Sequence, residues 1–357
     1  RQSLQMLLEP WGGIGALVKP GQKVLLKPNL LAPAHPSEAV TTHPLIVKVM
    51  AELIHEVGGK AYIGDSPGSG EQEVVHKKTG MWEVMQETGA EMLLFDEAVS
   101  TVVHGFEERT FPLASALGEV DMVFNLAKLK THSLVGLTAA VKNTYGCIVG
   151  KSKGSFHYKY PMPLDFSRLV IDVYLAAKPA FSIIDAVIAM EGVGPRRGKP
   201  RQLGLLMASA NAVALDSVAA AVTGFRPEQV TTIDAARKLR LPGADLADLH
   251  ILGVPLEECK VNDFDQGVVA AGKFGRLLTR FPLARIRGWF GNRRPYPRIN
   301  GDICNGCGIC FENCPAQIVN FNAPIPDIDL EGCIRCYCCQ ELCPQGAVEF
   351  FSPRGSL

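Results

Sequence analysis

With 357 residues the chain is too long for one ordinary hydrophobic core and suits roughly two or three domains. Its 47% hydrophobic and 20% charged content excludes a disordered chain and matches a soluble globular protein, and no apolar run reaches the roughly eighteen residues of a membrane-crossing helix. Lys+Arg and Asp+Glu balance at 36 each, so nothing global argues for nucleic acid or for an acidic partner.

Strands and helices alternate over the first 250 or so residues. "KVLLKPNLL" is an apolar run ending at Pro28-Asn29, which predicts a buried strand opening into a loop. "HPLIVKVMAELIHEVGG" follows, with Ile46, Val49, Met50, Leu53 and Ile54 on one face, Pro44 near its start and glycine at its end, the marks of an amphipathic helix. "KAYIGD" predicts a strand, "MWEVMQETG" a helix, and "EMLLFD" and "EVDMVFNL" two more strands. A helix over 165–177, the strands "AFSIIDAV" and "LGLLMAS", and the helix "AVALDSVAAAVTG" complete the series. Such alternation predicts an α/β fold, a mostly parallel sheet with helices on both faces, over residues 1–254. A second, small α+β domain is expected at 298–357.

Residues 255–297 read as a basic connector. Between 266 and 298 stand Lys273, Arg276, Arg280, Arg285, Arg287, Arg293, Arg294 and Arg298 with no acid, whereas 299–357 hold Arg335 and Arg354 against seven acids. Phe274, Leu277, Leu278 and Phe281 repeat at helical spacing before Pro282. The stretch is expected to pack on its own chain; contact of 273–290 with a membrane surface or a redox partner is the alternative. The first residue is Arg1 rather than Met, so the natural start is expected upstream, which leaves room for a removed targeting peptide.

Of eleven cysteines, nine fall within forty residues. "CNGCGICFENCP" gives Cys304, Cys307, Cys310 and Cys314, and "CIRCYCCQELCP" gives Cys333, Cys336, Cys339 and Cys343, each run spaced C-x2-C-x2-C-x3-C-P. Three thiolates on a tight loop cap three corners of a cube, Gly306 and Gly308 let the first loop wrap closely, and the fourth corner comes from elsewhere. In bacterial-type two-cluster domains the fourth cysteine crosses over. The first [4Fe-4S] cluster is therefore expected on Cys304, Cys307, Cys310 and Cys343, the second on Cys333, Cys336, Cys339 and Cys314. A pair of zinc knuckles is the competing reading, disfavoured because zinc sites usually want two C-x2-C pairs. Cys338 fits neither register and is expected to be a free thiol beside the second cluster, a packing residue unless it tunes or swaps a ligand. Metal-type spacing predicts a reducing, cytoplasmic setting rather than a disulfide scaffold. Residues 298–352 or so resemble the two-cluster ferredoxin family, which implies one-electron transfer and a redox partner protein.

The strand-end loops of the large domain gather charged groups. "LLKPN" offers Lys27 and Asn29; "YIGDSPGSG" offers Asp65 and Ser66; "NLAKLKTHS" brings Lys128, Lys130 and His132. "AVKNTYGCIVGK" adds Lys142, Asn143 and Cys147, the last expected to be a buried hydrophobe. "DAVIAMEGVGPRRGKP" supplies Asp185 and Glu191, and "ALDS" supplies Asp216 inside a predicted helix. Any one of these has a bland structural reading. Together the lysines, histidine and asparagines predict an electropositive pocket for a carboxylate or phosphate.

Here the chain resembles the family catalogued as domain of unknown function 362. "KPN", "TTHP", "GDSPG", "KLKTH", "AVKNTYG", "AMEGVGPRRGKP" and "ALD" stand in the family's order over about residues 20–225, and some members also end in a two-cluster ferredoxin domain. The resemblance implies candidate positions and no reaction: Lys27, Asn29, Asp65, Ser66, Lys128, Lys130, His132, Lys142, Asn143, Glu191 and Asp216.

The leading expectation is an iron–sulfur oxidoreductase. Two clusters pass electrons singly to a small anionic substrate or second cofactor, with Lys130 stabilising charge and His132, or else Glu191, donating a proton. A flavin could be that cofactor, although no G-x-G-x-x-G fingerprint follows any strand. The first alternative is an electron carrier that docks other proteins; the second is a non-redox enzyme with clusters as structural staples.

Overall fold

The computed structural model describes residues 1–150, 152–267 and 294–351. The basic amphipathic stretch expected at 273–290 lies outside the described residues, together with most of the 255–297 connector.

In chain order the strands are β1 (Lys23–Pro28), β2 (Lys60–Ile63), β3 (Glu91–Met92), β4 (Ala98–Val102), β5 (Thr110–Ala114), β6 (Met122–His132), β7 (Gly136–Thr138), β8 (Phe181–Glu191) and β9 (Lys199–Ser209). The cysteine-rich part adds β10 (Tyr296–Ile299), β11 (Val319–Asn320), β12 (Asp327–Ile328) and β13 (Val348–Phe351). A seven-stranded sheet runs β3-β2-β1-β6-β8-β9, with β7 paired to the end of β6. β3, β2, β1, β6 and β8 are parallel, whereas β7 and β9 run antiparallel to β6 and β8. This is the expected mostly parallel α/β architecture.

Helices cover both faces. Helix Pro44–Glu56 starts at His43, whose ring accepts the Leu45 amide, and its Ile46, Val47, Met50 and Ile54 pack on Val24, Leu26, Phe124 and Phe181. On the other face, helices Pro163–Ala177, Ala212–Val222 and Thr231–Lys238 cover Ala127, Leu129, Ile184 and Ala186. Each large aliphatic side chain buried this way contributes roughly 1.5–3 kcal/mol.

Four strands depart from the sequence reading. "EMLLFD" pairs only over Glu91–Met92. "KLKTH" is not a loop beyond a strand: β6 runs on through His132, because β7 and β8 satisfy its backbone to the end. β8 and β9 are likewise longer than their apolar runs, each extending its partner's ladder.

Strand order reverses between β1 and β6: β2 and β3 lie to one side, β8 and β9 to the other. Beyond the carboxyl ends of the strands at such a switch point, an open α/β sheet forms its binding crevice. The cysteine-rich part is built on β10–β13 and the β11–β12 hairpin, with short helices Ile309–Glu312 and Cys338–Leu342 after the two cysteine loops. It joins the large core through Tyr337, which is buried in the same apolar cluster as Tyr145 and Phe166.

Candidate functional site

Lys27, the penultimate residue of β1, is completely buried. Its ammonium sits 2.8 Å from Asp65 Oδ1 and donates to Asn143 O at 2.7 Å. Asp65 Oδ2 accepts the Leu30 amide at 2.8 Å. Gly146 makes room for this pair, since a Cβ there would lie 2.1 Å from Asp65 Oδ1 and 2.8 Å from Lys27 Nζ.

Asn29, just past β1, joins the two faces of the sheet. Its Oδ1 accepts from Lys130 Nζ at 2.8 Å and its Nδ2 donates to Asn143 Oδ1 at 2.9 Å. Asn143 in turn donates to Asn125 Oδ1 at 2.7 Å. Lys130 also donates to Val40 O at 2.6 Å. Lys128 pairs with Asp185 at 2.8 Å, and Asp185 Oδ2 takes the His43 amide at 2.9 Å. Burial, reinforced by Lys142 and Lys128, pushes Lys130 well below the ordinary lysine range.

Lys128, Lys130 and His132 alternate along β6, as a strand's period of two requires. His132 ends the row against the cysteine-rich part. Its Nδ1 accepts the Leu134 amide at 3.2 Å, so Nε2 carries the proton, 3.4 Å from Glu341 Oε1. Burial holds the imidazole well below its usual range and lifts the Glu341 carboxyl to about 8. The contact therefore joins two groups that burial drives toward neutrality rather than two full charges. One residue on, Ser133 Oγ donates to Gln340 Oε1 at 3.0 Å. Lys142 points into the same region, its ammonium 4.4 Å from the Tyr145 ring centroid and 5.6 Å from that of Phe166. Burial lowers the Lys142 pKa, and Glu341 and Cys338 oppose that shift.

Other predicted positions do structural work nearby. Asp216 accepts the Ala140 and Val141 amides at 2.7 and 3.1 Å, capping the short helix Ala140–Asn143, and burial raises its carboxyl to about 7 against those bonds. Ser66 is held by Lys153, which donates to its backbone and hydroxyl oxygens at 2.5 and 2.6 Å. Glu191, the last residue of β8, takes the Asp265 amide at 3.1 Å with Arg201 at 3.9 Å instead of joining the lysine network. Cys147 is fully buried among apolar side chains, and burial pushes its thiol up to about 11.

Sequence reasoning missed Glu341, Gln340, Ser133, Asn125 and Lys153. Only Asn125, one position among the apolar residues of β6, left a visible trace; the others depend on which surfaces meet.

All eleven cysteines are free of disulfides. Two small cavities lie in the cysteine-rich part. One is lined by Cys304, Cys307, Cys310 and Cys343 with Ile299, Ile309 and Val348. The other is lined by Cys314, Cys333, Cys336 and Cys339 with Pro297, Ile318 and Ile328. Four sulfurs on apolar walls, one of the four brought across from the other run, fit a thiolate-ligated cubane. Cys338 lies outside both quartets, buried, with its thiol hydrogen-bonded to the Cys336 sulfur.

A family model described as Domain of unknown function (DUF362) matches residues 24–221, more than half of the chain. The chain belongs to this family. A 4Fe-4S dicluster domain model matches residues 292–347, so the DUF362 part is followed by an iron–sulfur domain. Among curated proteins, a thylakoid-associated protein of Synechocystis sp. is 37% identical over 241 residues, 67% of this chain and 74% of its own. Among solved structures, the lactate racemase apoprotein from Thermoanaerobacterium thermosaccharolyticum aligns at 13% identity and a TM-score of 0.35, over 54% of this chain and 47% of its own. A Thermotoga maritima protein aligns at 18% identity and 0.33, over 53% and 49%. The chain thus spans about half of each of those two structures, and likeness at that level bears on no activity. No helix among the described residues of this DUF362 member is long and apolar enough to cross a membrane.

Proposed function

We propose that this protein is an iron–sulfur oxidoreductase whose α/β part (1–254) holds an anionic substrate or second cofactor next to a dicluster domain (298–357). In this reading Cys304, Cys307, Cys310 and Cys343 hold the first [4Fe-4S] cluster, and Cys333, Cys336, Cys339 and Cys314 the second. The clusters would supply one-electron transfer. The observation that carries the reading is the seating of helix Cys338–Leu342, which contains a ligand of the second quartet, directly on the Lys/His row of β6. His132 meets Glu341 at 3.4 Å and Ser133 meets Gln340 at 3.0 Å there.

The roles of the side chains follow from their partners. Lys27 and Lys128 are neutralised by Asp65 and Asp185 and fix the frame. Lys142, whose ammonium lies against aromatic rings and makes no hydrogen bond among the described residues, is the lysine we assign to an anion, with Glu341 as its charged neighbour. His132, held in one tautomer by Leu134 and driven to neutrality by burial, orients Glu341, whose carboxyl keeps its proton near neutral pH and takes over the donor role expected of the histidine, with Lys130 beside them.

The test is mass spectrometry of small molecules released from anaerobically purified protein, alongside EPR of the reduced clusters. A bound organic anion that disappears in Lys142→Ala supports the reading. Two reducible cubanes with no ligand at all would instead favour an electron carrier. One feature supports that second reading: Lys27, Lys128 and Lys130 all have protein partners already. Oxygen-sensitive clusters and free thiols suit a reducing, cytoplasmic compartment. By the name of its Synechocystis relative, peripheral contact with a membrane is the alternative location, and co-sedimentation with anionic vesicles decides between them.

A further inference from the structure

Arg196 and Arg197, in the loop between β8 and β9, take no part in the lysine network. They reach the dicluster domain instead. Arg196 Nη1 donates to Leu342 O at 2.8 Å and to Ser69 Oγ at 3.3 Å, and Arg197 Nη2 donates to Pro344 O. Leu342 and Pro344 flank Cys343, the cysteine that the second run contributes to the first quartet. Glycines permit the close fit. A Cβ on Gly68 would lie 3.1 Å from Leu342 Cδ2, and one on Gly346, at φ +70°, would lie 3.1 Å from Arg197 Nε. The "GDSPGSG" and "GVGPRRG" loops of the α/β part therefore form a cradle for residues 342–346. The Arg196 guanidinium is half-buried there, within electrostatic reach of Cys343 and Cys307 as well as of Glu38.

We propose that Arg196 and Arg197 form a cationic clamp on the Cys343 corner that raises the reduction potential of the first cluster relative to the second. Adding an electron to an already anionic thiolate cluster is opposed by its own charge, and a fixed guanidinium nearby favours the reduced form. The second quartet has a separate set of cations: Arg294 donates to Arg335 O at 3.1 Å and Ile334 O at 3.3 Å, within the loop that carries Cys333 and Cys336. The clamp acts on the first cluster only, and the α/β part thereby sets a property of the domain docked on it. The inference rests on the assignment of Cys304, Cys307, Cys310 and Cys343 to one cluster.

An EPR-monitored redox titration of the full, cluster-loaded chain tests it. In Arg196→Gln/Arg197→Gln one midpoint falls so that the reduced fraction at fixed poise drops about tenfold, about 59 mV for a one-electron couple. The other midpoint stays, and Arg196→Lys/Arg197→Lys restores most of the loss. A merely structural clamp would move the midpoint the other way, because its loss admits water that stabilises the reduced cluster. Unchanged midpoints at full iron content, an upward shift, or equal shifts of both midpoints would overturn the proposal. Should the double variant lose iron, the single Arg197→Gln at its exposed position is titrated, and an unmoved midpoint there overturns it equally. Wild-type protein without iron or a cubane signal would refute the cluster assignment itself, a separate outcome.

Discussion

Lys27 and Asp65 show what burial does to a charge at the scale of one residue. Both are almost inaccessible, and each is tolerable only because the other lies 2.8 Å away. Lys27→Ala leaves the carboxylate buried without its cation, and a loss of about 3–5 kcal/mol in urea denaturation is expected. Lys153 gives a pH signature. Burial lowers its pKa to about 7 from an ordinary 10.5. Between those values the unfolded chain holds a proton that the folded chain has shed, so stability rises with pH across that window. Lys153→Met should flatten this rise, measured as denaturation midpoints between about pH 7 and 10. The sequence displays Lys27, Lys128, Lys130 and Lys142 as chemical types. It does not display that Asp65 and Asp185 neutralise two of them, since those partners come from the loop after β2 and from β8.

At the scale of elements, β6 organises the site. Its first half reads as an ordinary apolar strand, and its second half carries the polar row Lys128, Lys130 and His132. Apolar periodicity identified only the first half, because a strand continues as long as neighbours pair with it, whatever the polarity of its side chains. The short helix Ala140–Asn143 likewise depends on another element. Asp216, from helix Ala212–Val222, accepts its Ala140 and Val141 amides. Asp216→Ala leaves two buried donors unsatisfied and should cost about 2 kcal/mol. Hydrogen exchange at Ala140 and Val141 should speed up more than in the other helices, and uniform exchange across the fold would count against the capping role.

At the scale of the whole molecule, two kinds of architecture share a surface. Tyr337 enters the apolar core of the α/β part, its hydroxyl donating to Pro295 O at 3.0 Å. Gln340 and Glu341 meet Ser133 and His132, and Arg196 grips Leu342. All of these belong to, or touch, the segment between Cys336 and Cys343. If that segment is shaped by its clusters, anaerobic iron chelation should raise hydrogen exchange in 338–342 and in 131–135 together. Faster exchange in 338–342 alone would mean that the two parts are independent.

Local chemistry is what the sequence alone determined. The two cysteine runs, the alternating elements and the motifs of the DUF362 family are short-range patterns, and each is set by neighbours within a few residues. The partners of the charged groups were decided only by the tertiary structure. Lys142 faces Glu341 across some two hundred residues of chain, and Arg196 finds Leu342 across 146. Such pairings depend on the strand order and on how one part docks on the other. No periodicity in the chain encodes either, because long-range contacts are fixed by the packing of whole faces rather than by the spacing of side chains along one element.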